Sequence, residues 1–462
     1  MDGSQPQNPY LAGNFAPVRS EDDFELEVRG DIPRELNGAF YRNGPDPQFP
    51  PRDAYHWFAG DGMIHAFFLE GGKARYRNRW VRTPKWETEH AAGRSLYGVF
   101  GNPITSDPSV MGTDSGVANT NIVWHAGRLL ALEEGHKPFE LDPLTLAPRG
   151  YADDYRGKVT AHPKLDPETG GMTWFAYSAG ELPLNAQMSY GVTDAAGRVT
   201  RREEFQAPFA AMVHDFNVTR GHALFPILPL TASLERAMKG GPPLAWEPDR
   251  GSHIGVMRRE ASVETIRWFT TDPMYVFHPM NAWEDGERIY CDVMEYPEAP
   301  LFPRLDGAAT GGEPARLTRW TFDLASGSNQ VKRERLDDLG GDFPRFDERR
   351  AGLAYRHGWF AGNRRATDGA MFDTLAHFDT RTGRRVDYAF PEGDRPGEPA
   401  FIPRTADADE GDGWVVCVVH RGADDVSELQ VFDAQDIAAG PIGAARVPRR
   451  VPFGFHGNWR GA

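Results

Sequence analysis

The stretch DPETGGMTWFAY, residues 166–177, sets the pattern of the chain, because a turn of Asp, Pro and Gly leads directly into a run of β-forming residues. Asp and Gly provide the backbone conformations of a tight turn, whereas Thr, Trp, Phe and Tyr favour a strand. The same chemistry recurs between β-type runs at residues 125–128, 194–198, 285–288 and 379–383. Many short strands joined by hairpins are therefore predicted.

Composition supports an all-β fold. The 462 residues include 50 Gly and 37 Pro, which is too many for a helical bundle, and 12% aromatic residues, which is too many for a disordered chain. Strand–turn–strand units without strict repetition are typical of a β-propeller with degenerate blades, and a two-sheet sandwich is the alternative. No linker divides the chain, so residues 1–462 are predicted to form a single domain, with residues 1–17 as a poorly ordered or extended N-terminal arm.

Charge and apolar patterning exclude several classes of protein. The net charge of −15 argues against nucleic-acid binding, which needs a basic face. The N-terminal segment lacks the regions of a signal peptide, and no apolar run is long enough to cross a membrane. Cys291 and Cys417 both lie in apolar, strand-like runs and are expected to be buried. We therefore expect a cytoplasmic protein without stable membrane association.

Helical signals are few. The segment PLTASLERAMK, residues 229–239, is followed by Gly240 and Gly241 and predicts a short helix with a glycine stop. Residues 103–116 are predicted to form a polar loop. Strands joined by turns therefore account for most of the expected structure.

Four of the fourteen histidines share a sequence context. Each follows a small or apolar segment and precedes a turn former or a polar residue, as expected where a strand ends in a loop. The innermost strands of a propeller converge on one axis, so histidines that are far apart in sequence can meet there. Neutral imidazole is a good ligand for Fe, Zn, Cu and Ni, although spacing alone leaves open whether a site exists. The four candidates are His162, His214, His278 and His456.

Three further segments add a family resemblance. GAFYRNGP at 38–45, WFAGDGMIH at 57–65 and FHGNW at 455–459, together with the histidine motifs, resemble the carotenoid cleavage oxygenase superfamily over nearly the whole chain. The resemblance implies a seven-bladed β-propeller with a cap of loops and short helices over the top face. It also implies a non-haem dioxygenase in which Fe(II) is bound by His162, His214, His278 and His456.

Carboxylates that orient these histidines are also implied. A ligating imidazole needs a partner for its second nitrogen, because the ring can otherwise rotate off the metal. The family supplies three glutamates, and Glu134 and Glu398 match two of them. At the third position this chain has Asp342, so a closer backbone or a bridging water is expected to compensate for the missing methylene. The family does not use His56 or His65 as ligands, and both are expected to be structural.

Within the superfamily the chain is most similar to the lignostilbene dioxygenases, which cleave the central double bond of hydroxylated stilbenes. Phe58, Tyr97 and Lys137 carry this resemblance. It implies that Tyr97 and Lys137 bind the 4-hydroxyl of the substrate and act in catalysis, while Phe58 packs on a ring. An ammonium beside a phenol favours the phenolate, which pushes electron density into the conjugated double bond. The predicted reaction cleaves a lignostilbene- or resveratrol-type 4-hydroxystilbene with O2 into two aromatic aldehydes.

The loops bear on the choice of substrate. The rim at residues 102–119 is mostly polar, which favours a water-soluble aromatic compound over a long polyene. Leu301 and Phe302 are candidates for an apolar wall of the substrate site. Three alternatives stay open, namely side-chain cleavage of an isoeugenol-type phenylpropenoid to vanillin, apocarotenoid cleavage, and a metal-free propeller that serves as a binding module. Ring-substituent preference, a dioxetane or an epoxide route, and a homodimer also stay open here.

Overall fold

A computed structural model describes residues 8–52, 54–365 and 371–462. Across these ranges, no helix combines the length and apolar character that crossing a membrane requires. The two α-helices are α1 (Pro84–Ala92) and α2 (Leu234–Met238). The strands are β1 (Asp23–Glu25), β2 (Glu27–Gly30), β3 (Gly38–Pro45), β4 (Gly62–Glu70), β5 (Lys73–Trp80), β6 (Asn121–His125), β7 (Arg128–Leu132), β8 (Phe139–Leu141), β9 (Pro148–Tyr151), β10 (Lys164–Leu165), β11 (Met172–Ala176), β12 (Gln187–Thr193), β13 (Val199–Gln206), β14 (Asn217–Val218), β15 (His222–Ile227), β16 (Leu230–Ala232), β17 (Leu244–Trp246), β18 (Ser252–Arg258), β19 (Arg267–Thr271), β20 (Tyr275–Asp285), β21 (Arg288–Tyr296), β22 (Arg316–Asp323), β23 (Lys332–Arg335), β24 (Gly340–Phe346), β25 (His357–Asn363), β26 (Thr374–Asp379), β27 (Arg384–Ala389), β28 (Arg395–Pro396), β29 (Ala400–Pro403), β30 (Gly413–Arg421), β31 (Val426–Asp433), β32 (Gly443–Val447) and β33 (Gly457–Gly461).

These strands form the seven antiparallel blades of a β-propeller within the described residues, so the predicted seven-bladed fold is confirmed. Blade 1 contains β1, β5, β4, β3 and β33, and blades 2 and 3 contain β6–β9 and β10–β13. Blade 4 contains β14, β15, β18 and β19, while blades 5 and 6 contain β20–β23 and β24–β27. Blade 7 contains β2, β32, β31 and β30, with β28 and β29 both paired to β30. The pair β16–β17 lies outside the blades.

The five turns predicted from the sequence all join paired strands of one blade. The hairpin between β6 and β7 shows the reason. Ala126 and Gly127 both have positive φ, at 52° and 75°, as required in a two-residue turn whose twist matches that of the strands. Turn chemistry therefore defines the blade hairpins.

The core lies between the blades rather than on the axis. Aromatic side chains of neighbouring blades meet there, as where Trp359 of β25 stacks on Phe401 of β29 with ring centroids 4.8 Å apart. Phe269 of β19 meets Phe322 of β22 edge to face at 5.3 Å. Such pairs stabilise the packing beyond their burial alone. Because apolar packing occupies the faces of the sheets, the axis is left to polar groups.

Two strands from opposite ends of the chain close the ring. β33 pairs with β3 in blade 1, and β2 pairs with β32 in blade 7. Each of these blades is therefore built from segments more than 400 residues apart in sequence. These two strand pairs are the seams of the propeller, and they join the N-terminal and C-terminal segments by hydrogen bonds without a covalent link.

The cap differs in detail from the sequence prediction. The helix expected over 229–239 is confined to α2, because residues 230–232 form β16 and Ser233 caps the helix. Helix α1 was missed, although Thr83 as its N-cap and Gly93 as its C-cap are ordinary boundary signals. Both helices line space beside the propeller axis, as expected for a cap. Of the predicted N-terminal arm, residues 1–7 lie outside the described residues, and Phe15 packs against Trp57.

The seam at β33 predicts a stability difference between two of its glycines. A Cβ on Gly457 would lie 2.7 Å from the Tyr41 carbonyl oxygen and 2.6 Å from Phe40 Cζ, whereas a Cβ on Gly461 meets nothing closer than 3.9 Å. We expect Gly457→Ala to lower the free energy of unfolding by about 1–3 kcal/mol through overpacking. Gly461→Ala, on the same strand, should change it by less than about 0.5 kcal/mol. Urea unfolding measures both, and equal midpoints would contradict this view of the seam.

Candidate metal centre

Four histidines meet on the propeller axis, and they come from four different blades. His162 and His214 lie just before the innermost strands β10 and β14, and His456 directly precedes β33. His278 lies within β20. All four side chains are buried, and one ring nitrogen of each lies within 4.8 Å of the corresponding atom of every other. The convergence predicted from the strand-end context is therefore present.

The nitrogen separations fit a common ion. His214 Nε2 lies 3.0 Å from His162 Nε2 and 3.1 Å from His278 Nε2. Such separations suit neighbouring ligand atoms at right angles around an ion that each contacts at about 2.1 Å. Four buried ring nitrogens grouped in this way could hold a metal ion.

Carboxylates determine which nitrogen of each ring faces the axis. His278 Nδ1 lies 2.8 Å from Asp342 Oδ1, His456 Nδ1 lies 2.8 Å from Glu398 Oε1, and His214 Nδ1 contacts Glu134 Oε1. An ionised carboxylate only accepts hydrogen bonds, so Nδ1 must donate in each pair. The Nε2 lone pair is then left for a metal. Asp342 reaches its histidine directly despite its shorter side chain.

The second oxygen of each carboxylate is also held. The Tyr177 hydroxyl donates to Glu134 Oε2, and the Tyr296 hydroxyl donates to Asp342 Oδ2 at 2.6 Å. Glu398 Oε2 accepts from the Gly457 backbone N–H at 2.8 Å and lies 3.1 Å from the Arg345 guanidinium. Each carboxylate is thus fixed from both sides, which removes the rotational freedom of the imidazole behind it.

His162 has a different environment. Its Nδ1 lies 3.5 Å from Asp215 Oδ2, and Asp215 Oδ1 is held at 2.6 Å by the Lys164 ammonium. Sequence reasoning did not single out either residue. The signal was available, because Asp215 directly follows His214 and Lys164 is two residues beyond His162.

Burial keeps the site in the protonation state that a metal needs. Loss of water contact lowers the pKa of His162 well below its usual value, and the neighbouring imidazoles add to this effect. Burial likewise lowers the pKa of His278 and of His456, against the opposing pull of Asp342 and Glu398. Although burial raises the pKa of Glu398, Arg345 and His456 lower it to about 2. Neutral imidazoles beside an ionised carboxylate are the expected state at neutral pH.

Irregularities in two strands set the direction of His278 and Asp342. The register of β20 against β21 shifts on both sides of Pro279, next to His278, and that of β24 against β25 shifts between Asp342 and Arg345. Phe343 has a φ of 54° at the second irregularity. Bulges redirect side chains next to functional sites. Here they turn a histidine and its carboxylate towards the axis.

An aromatic cavity of about 540 Å³ is lined by three of the four histidines, His214, His278 and His456. Phe277 packs edge to face on His214, and Phe343 lies over His278 and His456. Phe58 and Leu301, two of the residues expected to contact a substrate, line the cavity. A volume of this size accommodates a ligand of two aromatic rings.

Phe302 lies behind this wall rather than on it. It is buried and packs on Phe58, with ring centroids 6.2 Å apart, while Leu301 with a φ of 70° faces the cavity. His56 packs between the same aromatic rings, and His65 Nδ1 lies 2.6 Å from the Tyr76 hydroxyl. Neither histidine belongs to the cluster on the axis.

Tyr97 lines a second cavity of about 480 Å³, which shares Phe58, Phe100 and Glu133 with the first. Helix α1 fixes this position, because Glu89 Oε1 accepts from the Tyr97 backbone N–H at 3.1 Å. The Tyr97 hydroxyl donates to the Asp114 carbonyl at 2.7 Å. Three large apolar side chains are exposed where they line this cavity, namely Ile104 and Met111 of the predicted rim and Met238 of α2.

Lys137 does not join Tyr97. Its Nζ lies 2.5 Å from Asp153 Oδ1, and it lines neither cavity among the residues described. The hairpin after β7 turns it outwards, whereas Glu133 and His136 of the same segment face the cavities. The position of Lys137 therefore does not support its predicted role beside the phenol. Sequence reasoning missed Glu133 and His136, although both lie in the segment EEGHK, residues 133–137.

Comparison with known proteins agrees with this geometry. Residues 15–461 match the family described as retinal pigment epithelial membrane protein. An isoeugenol monooxygenase of Pseudomonas putida is 41% identical over 474 aligned residues, which cover 98% of each chain. Lignostilbene-alpha,beta-dioxygenase isozyme III of Sphingomonas paucimobilis is 38% identical, with 99% of this chain and 98% of the relative covered. The crystal structure of Pseudomonas brassicacearum lignostilbene dioxygenase superposes with a TM-score of 0.94 at 36% identity, with 99% of both chains covered. The chain therefore belongs to the retinal pigment epithelial membrane protein family, that of the carotenoid cleavage oxygenases, and is an oxygenase.

Proposed function

We propose that the protein is an Fe(II)-dependent dioxygenase that cleaves the double bond between the rings of 4-hydroxystilbenes. The observation that carries the proposal is the meeting of four buried imidazoles beside an aromatic cavity of about 540 Å³, which is large enough for two rings. In the reaction the C=C bond breaks, and each alkene carbon gains one oxygen atom of O2. The products are two aromatic aldehydes, so no further reductant is needed.

The metal fits the donor set. His162, His214, His278 and His456 would hold it through Nε2, and four neutral ligands leave its full positive charge in place. When bound, ferrous iron supplies the one-electron chemistry by which O2 reacts with an alkene. Glu134, Asp342 and Glu398 keep the Nδ1 proton on three of the rings and so keep each lone pair on the axis.

The aromatic wall positions the substrate. Phe58, Phe277 and Phe343 present ring faces and edges to the cavity directly over the histidines. A flat conjugated substrate gains offset stacking or edge contacts on such walls and displaces water from the neighbourhood of the metal. Holding the alkene beside the metal converts an encounter into a unimolecular step.

A second candidate reaction is cleavage of a phenylpropenoid side chain. It is supported by the likeness to the Pseudomonas putida protein that is named an isoeugenol monooxygenase. The two reactions differ in what the cavity holds beyond the alkene, a second ring in one case and a methyl group in the other. The volume of about 540 Å³ favours the two-ring substrate.

A substrate panel tests this choice. Iron-loaded protein incubated with resveratrol under ¹⁸O₂ should give two aldehydes, each carrying one ¹⁸O atom when trapped by immediate reduction. The kcat/KM for resveratrol should exceed that for isoeugenol at least about tenfold, because the second ring adds buried apolar contact. Turnover of isoeugenol with resveratrol untouched would reject the stilbene proposal in favour of the second candidate.

The role of Asp342 is tested through iron binding. Asp342→Ala should weaken Fe(II) binding by about 10- to 100-fold in an anaerobic titration, because His278 loses the acceptor that fixes its tautomer. Asp338→Ala is the matched control, since Asp338 lies four residues earlier and its side chain is 90% exposed. Equal Fe(II) affinities for the two variants would show that Asp342 does not orient the histidine.

A further inference from the structure

Two adjacent glutamates at the end of β7 serve different purposes. Glu134 contacts His214 on the axis, whereas Glu133 points away from the histidines towards the passage between the two cavities. The Glu133 side chain is 12% exposed, so its carboxylate is largely withdrawn from water. A nearly buried carboxylate that is not needed for the metal calls for a separate explanation.

Glu133 is held rigidly by one of its oxygens. Its Oε1 accepts from the backbone N–H groups of Val117 and Ala118 at 2.8 and 3.2 Å, and His136 Nδ1 lies 3.0 Å from the same oxygen. No hydrogen bond to Oε2 is found among the residues that the structure describes. One oxygen is thus fixed by the protein, and the other is left to accept a hydrogen bond.

The position of Glu133 suits a ligand that extends from the metal cavity. Phe58, Phe100 and Glu133 line both cavities, so they mark the junction. The first two are apolar rings in edge-to-face contact, with centroids 5.7 Å apart. Glu133 is therefore the polar group at a junction whose other shared walls are aromatic. Binding sites of this kind use a few polar groups to fix the orientation of an aromatic ligand.

Surrounding charges keep this carboxylate ionised and disfavour a second anion. Burial alone would lower the pKa of His136, but Glu133 and Asp114 raise it to about 8 against the opposing charge of Lys158. The protein's own phenol in this cluster is Tyr151, whose hydroxyl donates to Asp114 Oδ1 at 3.0 Å. Burial, Glu133 and Asp114 all raise the pKa of Tyr151. Ionisation of a substrate phenol beside Glu133 would be opposed by the same charges.

We propose that Glu133, braced by His136, accepts the hydrogen bond of the substrate's phenolic hydroxyl and so selects 4-hydroxyaryl alkenes in their neutral form. The inference rests on the proposed function, since it specifies how that substrate class is recognised. It differs from the phenolate–ammonium scheme, in which the Lys137 ammonium, here paired with Asp153, would contact the phenol. Glu133 is a specificity residue that contacts the far end of the substrate, while the double bond lies over the histidines.

Binding of analogues that cannot be cleaved tests the inference without relying on turnover. The probes are 4-hydroxybibenzyl and 4-methoxybibenzyl, which lack the double bond and differ only in the ability to donate a hydrogen bond. Isothermal titration of the anaerobic iron-loaded protein should show the hydroxyl compound binding about 10- to 100-fold more tightly, as expected for a hydrogen bond to a charged acceptor. Glu133→Gln should reduce that ratio to less than about fivefold, and Glu133→Leu should abolish it.

Two control variants separate local from general effects. Glu140→Gln removes a carboxylate from β8 of the same blade, where Glu140 pairs with Arg128 and Arg149, and should leave the ratio unchanged. Lys137→Met should also leave the ratio unchanged, because Lys137 lines neither cavity among the residues described and pairs with Asp153, which is 85% exposed. Iron content and the melting temperature of each variant establish that it folds. If Glu133→Leu fails to fold, Glu133→Gln still tests the inference, because glutamine keeps an acceptor for the two backbone N–H groups.

The outcomes distinguish this inference from the proposed function. A wild-type ratio in Glu133→Gln, or loss of the ratio in Lys137→Met, would overturn the role of Glu133 even if resveratrol is cleaved. A ratio that depends on Glu133 in a protein that leaves stilbenes intact would support the role of Glu133 and reject stilbene cleavage. If the wild-type protein does not discriminate between the two probes, the inference is wrong.

Discussion

Three hydrogen bonds from imidazole to carboxylate are the interactions on which the rest of the site depends. A neutral imidazole has one proton and one lone pair, and the two can exchange places. By accepting the proton side of three rings, the carboxylates present three lone pairs to the axis. The fourth ring, that of His162, is buried and packs against the rings of the other three histidines. The protein thereby fixes the direction of its donors before any ion binds.

The propeller explains why no short motif encodes the centre. Each blade sends one group to the axis: blades 1, 3, 4 and 5 send histidines, and blades 2, 6 and 7 send carboxylates. Groups that are neighbours at the axis therefore come from different blades and are separated in sequence by at least the length of one blade. Burying three carboxylates is costly, and the cost is offset because each also accepts from a tyrosine, an arginine or a backbone N–H.

Much of the fold could be predicted from the sequence because the signals are local. Turn residues mark the hairpins, and a histidine at a strand end marks an approach to the axis. The features that could not be predicted depend on the direction in which a side chain points. Lys137 and Glu133 are four residues apart, yet Lys137 pairs with the exposed Asp153 while Glu133 lines the cavity. Leu301 and Phe302 are adjacent, yet Leu301, which has a positive φ, lines the cavity while Phe302 packs behind it on Phe58.

The seam in blade 1 has a consequence for how the enzyme matures. His456 comes directly before β33, the strand that pairs with β3. A growing polypeptide that has not yet passed residue 461 can offer at most three of the imidazoles from a closed scaffold. The four ligands therefore meet only after β33 has paired with β3, so capture of an ion by all four depends on the closure of blade 1.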